Sequence, residues 1–298
     1  MPEYLLGRRT PETFEHVVKY PFAAAAPFEL EMELGLPAWH QDHNQNGWNG
    51  CVGWSGSMMM SILNGGVRYD ETWLWNNAKA NDEWADTNPG DNNGTSVNAA
   101  CKVLKAQGHV LRGQPAPSLN EGISEYRWAR NADEVRAGLS ARIPVDIGVN
   151  WYQAFDNAET INGEYWIGRG SSWGVVRGGH AVCLYAGSDA RQAVKIKNSW
   201  PGYPEVWLPY ASLNRLLGEY GEALIVTDRG GAQPGPLPPS PEGRFFTTAR
   251  SWIFHRRGHR GLQPTRWFQT WWQAYAAGLR PCGLCRPSMW GARDDDDR

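Results

Sequence analysis

Apolar and polar positions repeat with one period in the first half of the chain and another in the second. From Cys51, the run Met58–Met59–Met60–Ser61–Ile62–Leu63 predicts a buried helix to Asn64, where Gly65 and Gly66 stop it. Tyr69 to Trp84 keeps helical spacing through Trp73, Asn76, Asn77, Ala80 and Trp84. Packing within a helical lobe explains these tryptophans better than carbohydrate stacking. Asp91–Asn92–Asn93–Gly94 reads as a turn. Thr95 or Ser96 can cap the next helix, which has Val97, Ala100, Cys101 and Leu104 on one face and ends at Gly108. Ala132 to Ala141 is a further amphipathic helix. Beyond it Ile143 to Val149 alternates with the period of a strand and opens a β-rich lobe. A long aromatic loop from Trp151 to Trp173 follows, then strands through His180 to Tyr185 and over Val194 to Lys197. Glu205–Pro209 and Glu222–Val226 read as closing strands, with Leu213, Leu216 and Leu217 on a short helix between them. The expected class is α+β, in two lobes.

Both ends depart from this pattern. Residues 1–36 read as an arm, an extended strap with Arg8–Arg9 and a Pro/Ala run. Residues 37–230 form the main domain. GAQPGPLPPSPEG, spanning 231–243, has no core-forming pattern and is a stiff linker. Residues 244–291 change composition: from 244 to the end there is no lysine, and ten arginines face four aspartates. Residues 292–298 make an acidic, solvated tail.

At 298 residues the chain can bury a substantial core. Its net charge of −2 points to no charged partner. The chain has no apolar run long enough for a membrane span, and its first residues lack a signal peptide's apolar stretch. A cytoplasmic protein is expected, or a virion-associated one if a phage encodes it, and a monomer. Of five cysteines, Cys101 and Cys183 sit in apolar settings and read as buried free thiols.

The candidate chemistry centres on QNGWNGCVGW, from Gln45 to Trp54. Cys51 lies between Gly50 and Gly53, read as allowing a tight turn, at the start of the predicted helix. A helix N-terminus and an imidazole partner both favour a thiolate. His180, in GGHAV, can take the thiol proton and return it to a leaving amine. Asn198, in KIKNSW, can orient the imidazole, and Gln45 can donate its amide to an oxyanion beside the Cys51 N–H. His40 and His43, although spaced for a metal, read as a surface loop.

This set resembles the papain-like cysteine peptidases over Pro37 to Asp228, most closely the compact bacterial and phage forms. The Gln45-to-Cys51 spacing is similar to the family's oxyanion glutamine and nucleophile. GGHAVCLYAG resembles its histidine strand, and VKIKNSWPGY its Asn-Ser-Trp strand. The resemblance implies a two-lobe fold, amide hydrolysis through an acyl-enzyme, and a peptide or protein substrate. It also implies substrate backbone pairing at Asn93 and Gly94, a Trp200 that shields the His180–Asn198 bond, and no catalytic cofactor. Two departures stand out: Trp54 comes three residues after the cysteine, and Pro201 stands where the family usually has glycine. The family's long inhibitory prosegment does not fit into the arm, so activation by removing one is not expected. A short arm near the cleft is compatible with the length.

In the last segment, His255-x3-His259 and Cys282-x2-Cys285 make a closed tetrahedral set for a structural zinc ion. AYAAGLRPCGLCRP resembles the second half of the zinc module of bacterial adaptive-response alkyltransferases, with His259 where those have cysteine. Arginines 256, 257, 260 and 266 make phosphate contact conceivable, but surface solvation explains them more simply. The expected function is thus a cysteine endopeptidase. The alternatives are an amidase or transferase acting on isopeptide or cell-wall peptide bonds, and a silent peptide-binding module.

Overall fold

The computed structural model describes residues 5–11, 13–22, 29–85 and 88–228, together with four short strands beyond them. The chain divides into two units, Met1–Gly235 and Pro236–Arg298.

In the first unit the arm contributes a short helix α1 (Glu15–Lys19) and a strand β1 (Glu31–Glu33). Helices α2 (Cys51–Leu63), α3 (Glu71–Lys79) and α4 (Val97–Ala106) follow. Every residue of α2 is buried. Its serines survive there because each finds a partner: Ser61 Oγ donates to the Ser57 carbonyl at 2.7 Å, and Ser57 Oγ lies 2.8 Å from His109 Nε2. Gly53 works differently from the sequence reading. It lies within the helix, and a Cβ there would fall 2.5 Å from the Glu71 carbonyl oxygen and from Trp75 Cβ, so it permits close contact with α3 rather than a turn. Helix α3 is shorter than its spacing predicts. Asp70 caps it by accepting from Trp73 N, and it stops before the Asn81–Asp82 pair, leaving Trp84 outside. Ser96, not Thr95, caps α4 through Ala99 N.

The second lobe begins with β2 (Ile123–Trp128), helix α5 (Ala132–Ser140) and β3 (Val145–Tyr152). Next come β4 (Glu159–Ile161), β5 (Glu164–Trp166), β6 (Val176–Ser188), β7 (Ala193–Lys197), β8 (Val206–Pro209), helix α6 (Tyr210–Gly218) and β9 (Glu222–Asp228). The sheet order is β2-β9-β3-β6-β7-β8-β5-β4, with β1 on the far half of β6. The predicted aromatic loop is therefore partly structured. Strand β3 runs on through Trp151, and β4 and β5 form a hairpin about Asn162 and Gly163, both at positive φ. His43, read as a surface-loop residue, is 3% exposed: it follows a short 3-10 turn (His40–Asp42), its Nδ1 lies 3.7 Å from Glu71 Oε1, and its ring lies 5.9 Å from that of Trp39. Among the described residues no helix is long and apolar enough to cross a membrane.

The second unit contains β10 (Phe245–Thr247), β11 (Ile253–Arg256), β12 (Arg266–Phe268) and β13 (Arg280–Pro281), in the order β12-β10-β11-β13. His255 lies on β11, and nothing of its side chain is described; His259, Cys282 and Cys285 lie outside the described residues. Among the described residues no three His, Cys, Asp or Glu side chains gather as a metal site.

Candidate active site

Cys51 is the first residue of α2, so its sulfur lies where the helix's free amides point. The backbone amides of Ala181, Gly7 and Val52 face it. Ala181 is next to His180 on β6. His180 is fully buried and paired across the sheet with Val149 of β3. Its Nε2 lies 2.9 Å from Asn198 Oδ1, just past the end of β7. Ser199 N donates to the same oxygen at 2.7 Å, which fixes that atom as an acceptor. Nε2 therefore carries the ring proton, and Nδ1, buried without a hydrogen-bond partner, is the basic nitrogen. Trp200 stacks on the ring at 4.5 Å and 26°, and Trp151 meets it edge-on at 4.8 Å.

Gln45 is held from several directions. Its backbone N–H donates to the Ser199 carbonyl at 2.9 Å, and its Oε1 accepts from Ser199 Oγ at 2.7 Å. Its Nε2 donates to the Trp48 carbonyl at 2.7 Å and, at 3.1 Å, to the carbonyl of Leu5.

Leu5 belongs to the arm, and the arm fills the cleft. Arg8 N donates to the Gly179 carbonyl at 3.0 Å, Thr95 N to the Gly7 carbonyl at 2.9 Å, and Arg9 N to the Thr95 carbonyl at 2.8 Å. Trp200 Nε1 donates to the Leu5 carbonyl at 3.3 Å. The segment is a strand added between the two walls. It lies parallel to the Thr95 segment and antiparallel to β6. A short arm near the cleft is compatible with the length, and the segment around Arg8 lies there.

The arm pairs beside the predicted substrate-pairing residues Asn93 and Gly94. Thr95 makes the hydrogen bonds to the arm. Gly94 contributes closeness, since a Cβ there would lie 1.9 Å from the Gly7 carbonyl oxygen. The Asn93 carbonyl instead accepts from Trp75 Nε1 at 3.1 Å. Ser199 and Trp151 were not singled out. Ser199 lies inside a motif already quoted, and Trp151 lies two residues beyond Val149 on the same strand face, which was the available signal.

Burial pushes the Cys51 thiol up to about 11 although the facing amides pull it down. Burial also lowers His180 to about 4, against the opposing bond to Asn198. With the arm in place both partners are therefore neutral at pH 7. Cys101 and Cys183 are also free and buried, and burial raises both thiols well above their ordinary value. A cavity of about 530 Å³ lined by Ile161, Trp166, Arg191 and Tyr210 opens elsewhere, and none of its lining residues belongs to this site.

No protein-family model matches the sequence, and no curated protein matches it. Solved structures do. Xylellain, a cysteine protease from Xylella fastidiosa, is 14% identical with a TM-score of 0.54, covering 74% of this chain and 95% of its own. The digestive procathepsin L2 proteinase of Tenebrio molitor larval midgut is 15% identical with a TM-score of 0.50, covering 75% of this chain and 78% of its own. Likeness at this identity establishes the fold. The chain has the mixed α+β, papain-like fold of these cysteine proteases.

Proposed function

We propose that the chain is a cysteine peptidase that cleaves peptide or protein substrates through an acyl-enzyme. The observation that carries this reading is His180, whose Nε2 is committed to Asn198 while its unpartnered Nδ1 is buried one residue from an amide facing the Cys51 sulfur. Nδ1 takes the thiol proton as Sγ attacks the carbonyl carbon. Asn198 holds the ring in that tautomer, and Trp200 and Trp151 keep water from the bond. The oxyanion is met by Gln45 Nε2, which already donates to a peptide carbonyl in the arm, and by the Cys51 N–H. The imidazolium then protonates the leaving amine, and water returns the acyl-enzyme to free thiol and acid. Zinc ligation by His255, His259, Cys282 and Cys285 is a separate proposal, and what supports it is their spacing.

Epoxide alkylation of the full chain, with peptide mapping between pH 5 and 9, tests the reading. Cys51 is expected to react slowly at neutral pH and at least about tenfold faster after Arg8→Ala loosens the arm. His180→Ala removes that gain, and Cys51→Ala leaves the fold intact without peptide turnover. Full turnover in Cys51→Ala would sink the assignment.

A further inference from the structure

The loop between Gln45 and Cys51 is fastened at one peptide unit. Asn46 and Gly47 take positive φ angles of 44° and 79°, and Trp48 N donates to the Gln45 carbonyl at 2.9 Å, so the chain turns tightly there. The Trp48 carbonyl then accepts from Gln45 Nε2 at 2.7 Å. That nitrogen carries two hydrogens. With one held by Trp48, the other reaches the Leu5 carbonyl in the cleft at 3.1 Å. The Trp48 carbonyl thus sets the direction of the N–H that Gln45 offers to the cleft.

The other end of the same peptide unit is the Asn49 N–H, and it donates to Asn92 Oδ1 at 2.7 Å. Asn92 makes two more bonds to the loop. Its carbonyl accepts from Asn49 Nδ2 at 2.6 Å, and its Nδ2 donates to the Gly47 carbonyl at 3.3 Å. A backbone N–H on one side and a backbone carbonyl on the other leave the Asn92 amide one orientation. Gly47 and Gly50 flank the held unit, and glycines resist rotation least, so the loop depends on this clasp for a single geometry. Asn92 also leads into the segment that pairs with the arm. Thr95 N donates to the Gly7 carbonyl at 2.9 Å, and a Cβ built on Gly7 would lie 1.7 Å from the Asn49 carbonyl oxygen. A backbone lying in the cleft therefore touches both of the segments that Asn92 joins.

We propose that Asn92 is a positioning residue for the oxyanion site. It holds the Trp48–Asn49 peptide unit, and through the Trp48 carbonyl it aims the Gln45 N–H at the oxygen on which charge develops. Asn92 itself touches no reacting atom. Its side chain is exposed, so water competes for its partners and its loss costs the fold little. This rests on the peptidase reading and adds a residue that acts through Gln45.

The test uses the full chain with Arg8→Ala as parent and two reactions of Cys51. Hydrolysis of an N-acylglycine p-nitrophenyl ester passes through an oxyanion. Alkylation by iodoacetamide, followed by peptide mapping, is a direct displacement and does not. Asn92→Ala is expected to lower kcat/KM for the ester about tenfold, mostly in kcat, with the alkylation rate and the thermal midpoint nearly unchanged. Asn92→Asp keeps an oxygen for the Asn49 N–H and is expected to stay within about threefold of the parent. Gln45→Ala removes the donor, and Asn92→Ala added to it is expected to cost less than about twofold more. An unchanged kcat/KM in Asn92→Ala, parallel losses in hydrolysis and alkylation, or an Asn92→Ala loss that persists in full beside Gln45→Ala overturns the positioning role and leaves the peptidase reading standing. A parent inert to both the ester and iodoacetamide overturns both.

Discussion

Cys51 and His180 stand on facing walls of the cleft, and the walls hold them by different physics. The helical wall is a packing device. All of α2 is buried, and Gly53 lets α3 come so close that no side chain fits between them. The sheet wall is a hydrogen-bond chain under an aromatic cover. Gln45, Ser199, Asn198 and His180 are linked in series, and Trp151 and Trp200 enclose the ring. The first wall fixes a nucleophile by leaving it no room. The second fixes a base by giving each polar atom of the chain but two, His180 Nδ1 and Asn198 Nδ2, a partner. Damage to the first therefore falls on stability, and damage to the second on chemistry.

The harshest way to break that contrast is Gly53→Val. The added carbons meet the backbone of α3, so a loss of on the order of 3 kcal/mol is expected, read as a drop in thermal midpoint. Comparable damage to activity with an unchanged midpoint would show that the helical wall is not held by packing.

Asp146 lies where the two walls meet, on β3 with a carboxylate oxygen 3.6 Å from a Cβ built at Gly56. It is buried, and burial lifts its carboxyl to about 8, with the Glu222 charge adding to the rise and a Ser55 contact opposing it. The folded protein thus keeps a proton that the unfolded chain gives up near pH 4, and Asp146 withdraws stability as pH rises toward 8. Asp146→Asn removes this effect. Its stability relative to the unsubstituted protein is expected to grow by about 1.4 kcal/mol per pH unit between pH 5 and 7. Denaturant melts across that range measure it, and a constant difference would contradict it.

On the sheet wall the expected losses are in turnover. With the arm loosened by Arg8→Ala, Asn198→Ala frees the His180 ring and is expected to lower kcat by about 100-fold with little change in midpoint. Ser199→Ala removes one hydroxyl bond to Gln45 and is expected to cost about 1 kcal/mol of transition-state stabilisation, or several-fold in kcat/KM. A Ser199→Ala effect as large as that of Asn198→Ala would mean that the chain acts as one unit rather than in series.

How legible each group was follows from how far away its partners are. The Cys51 helix, the His180 strand and the cap at Ser96 rest on patterns contained within a few residues, and the structure places them close to where those patterns put them. His43 was misjudged because a buried polar residue in a loop carries no periodic signal; its burial depends on Trp39 and Glu71 folding around it. That the arm pairs at Thr95 carries no local signal, because a turn motif marks where the chain bends, not which amide faces the cleft.

The sequence by itself determined which atoms could react, since a thiol at a helix start, an imidazole and two amides are chemical facts of residue identity and local period. Only the tertiary structure decided what covers them. Arg8 and Glu222 lie 214 residues apart, and neither has a local pattern that names the other. Their pairing depends on β9 lying beside β3, on Gly148 leaving a slot for the Arg8 side chain, and on the arm finding two free strand edges. These are properties of the assembled sheet, because strand neighbours are chosen by long-range packing and not by the residues next to them in the chain.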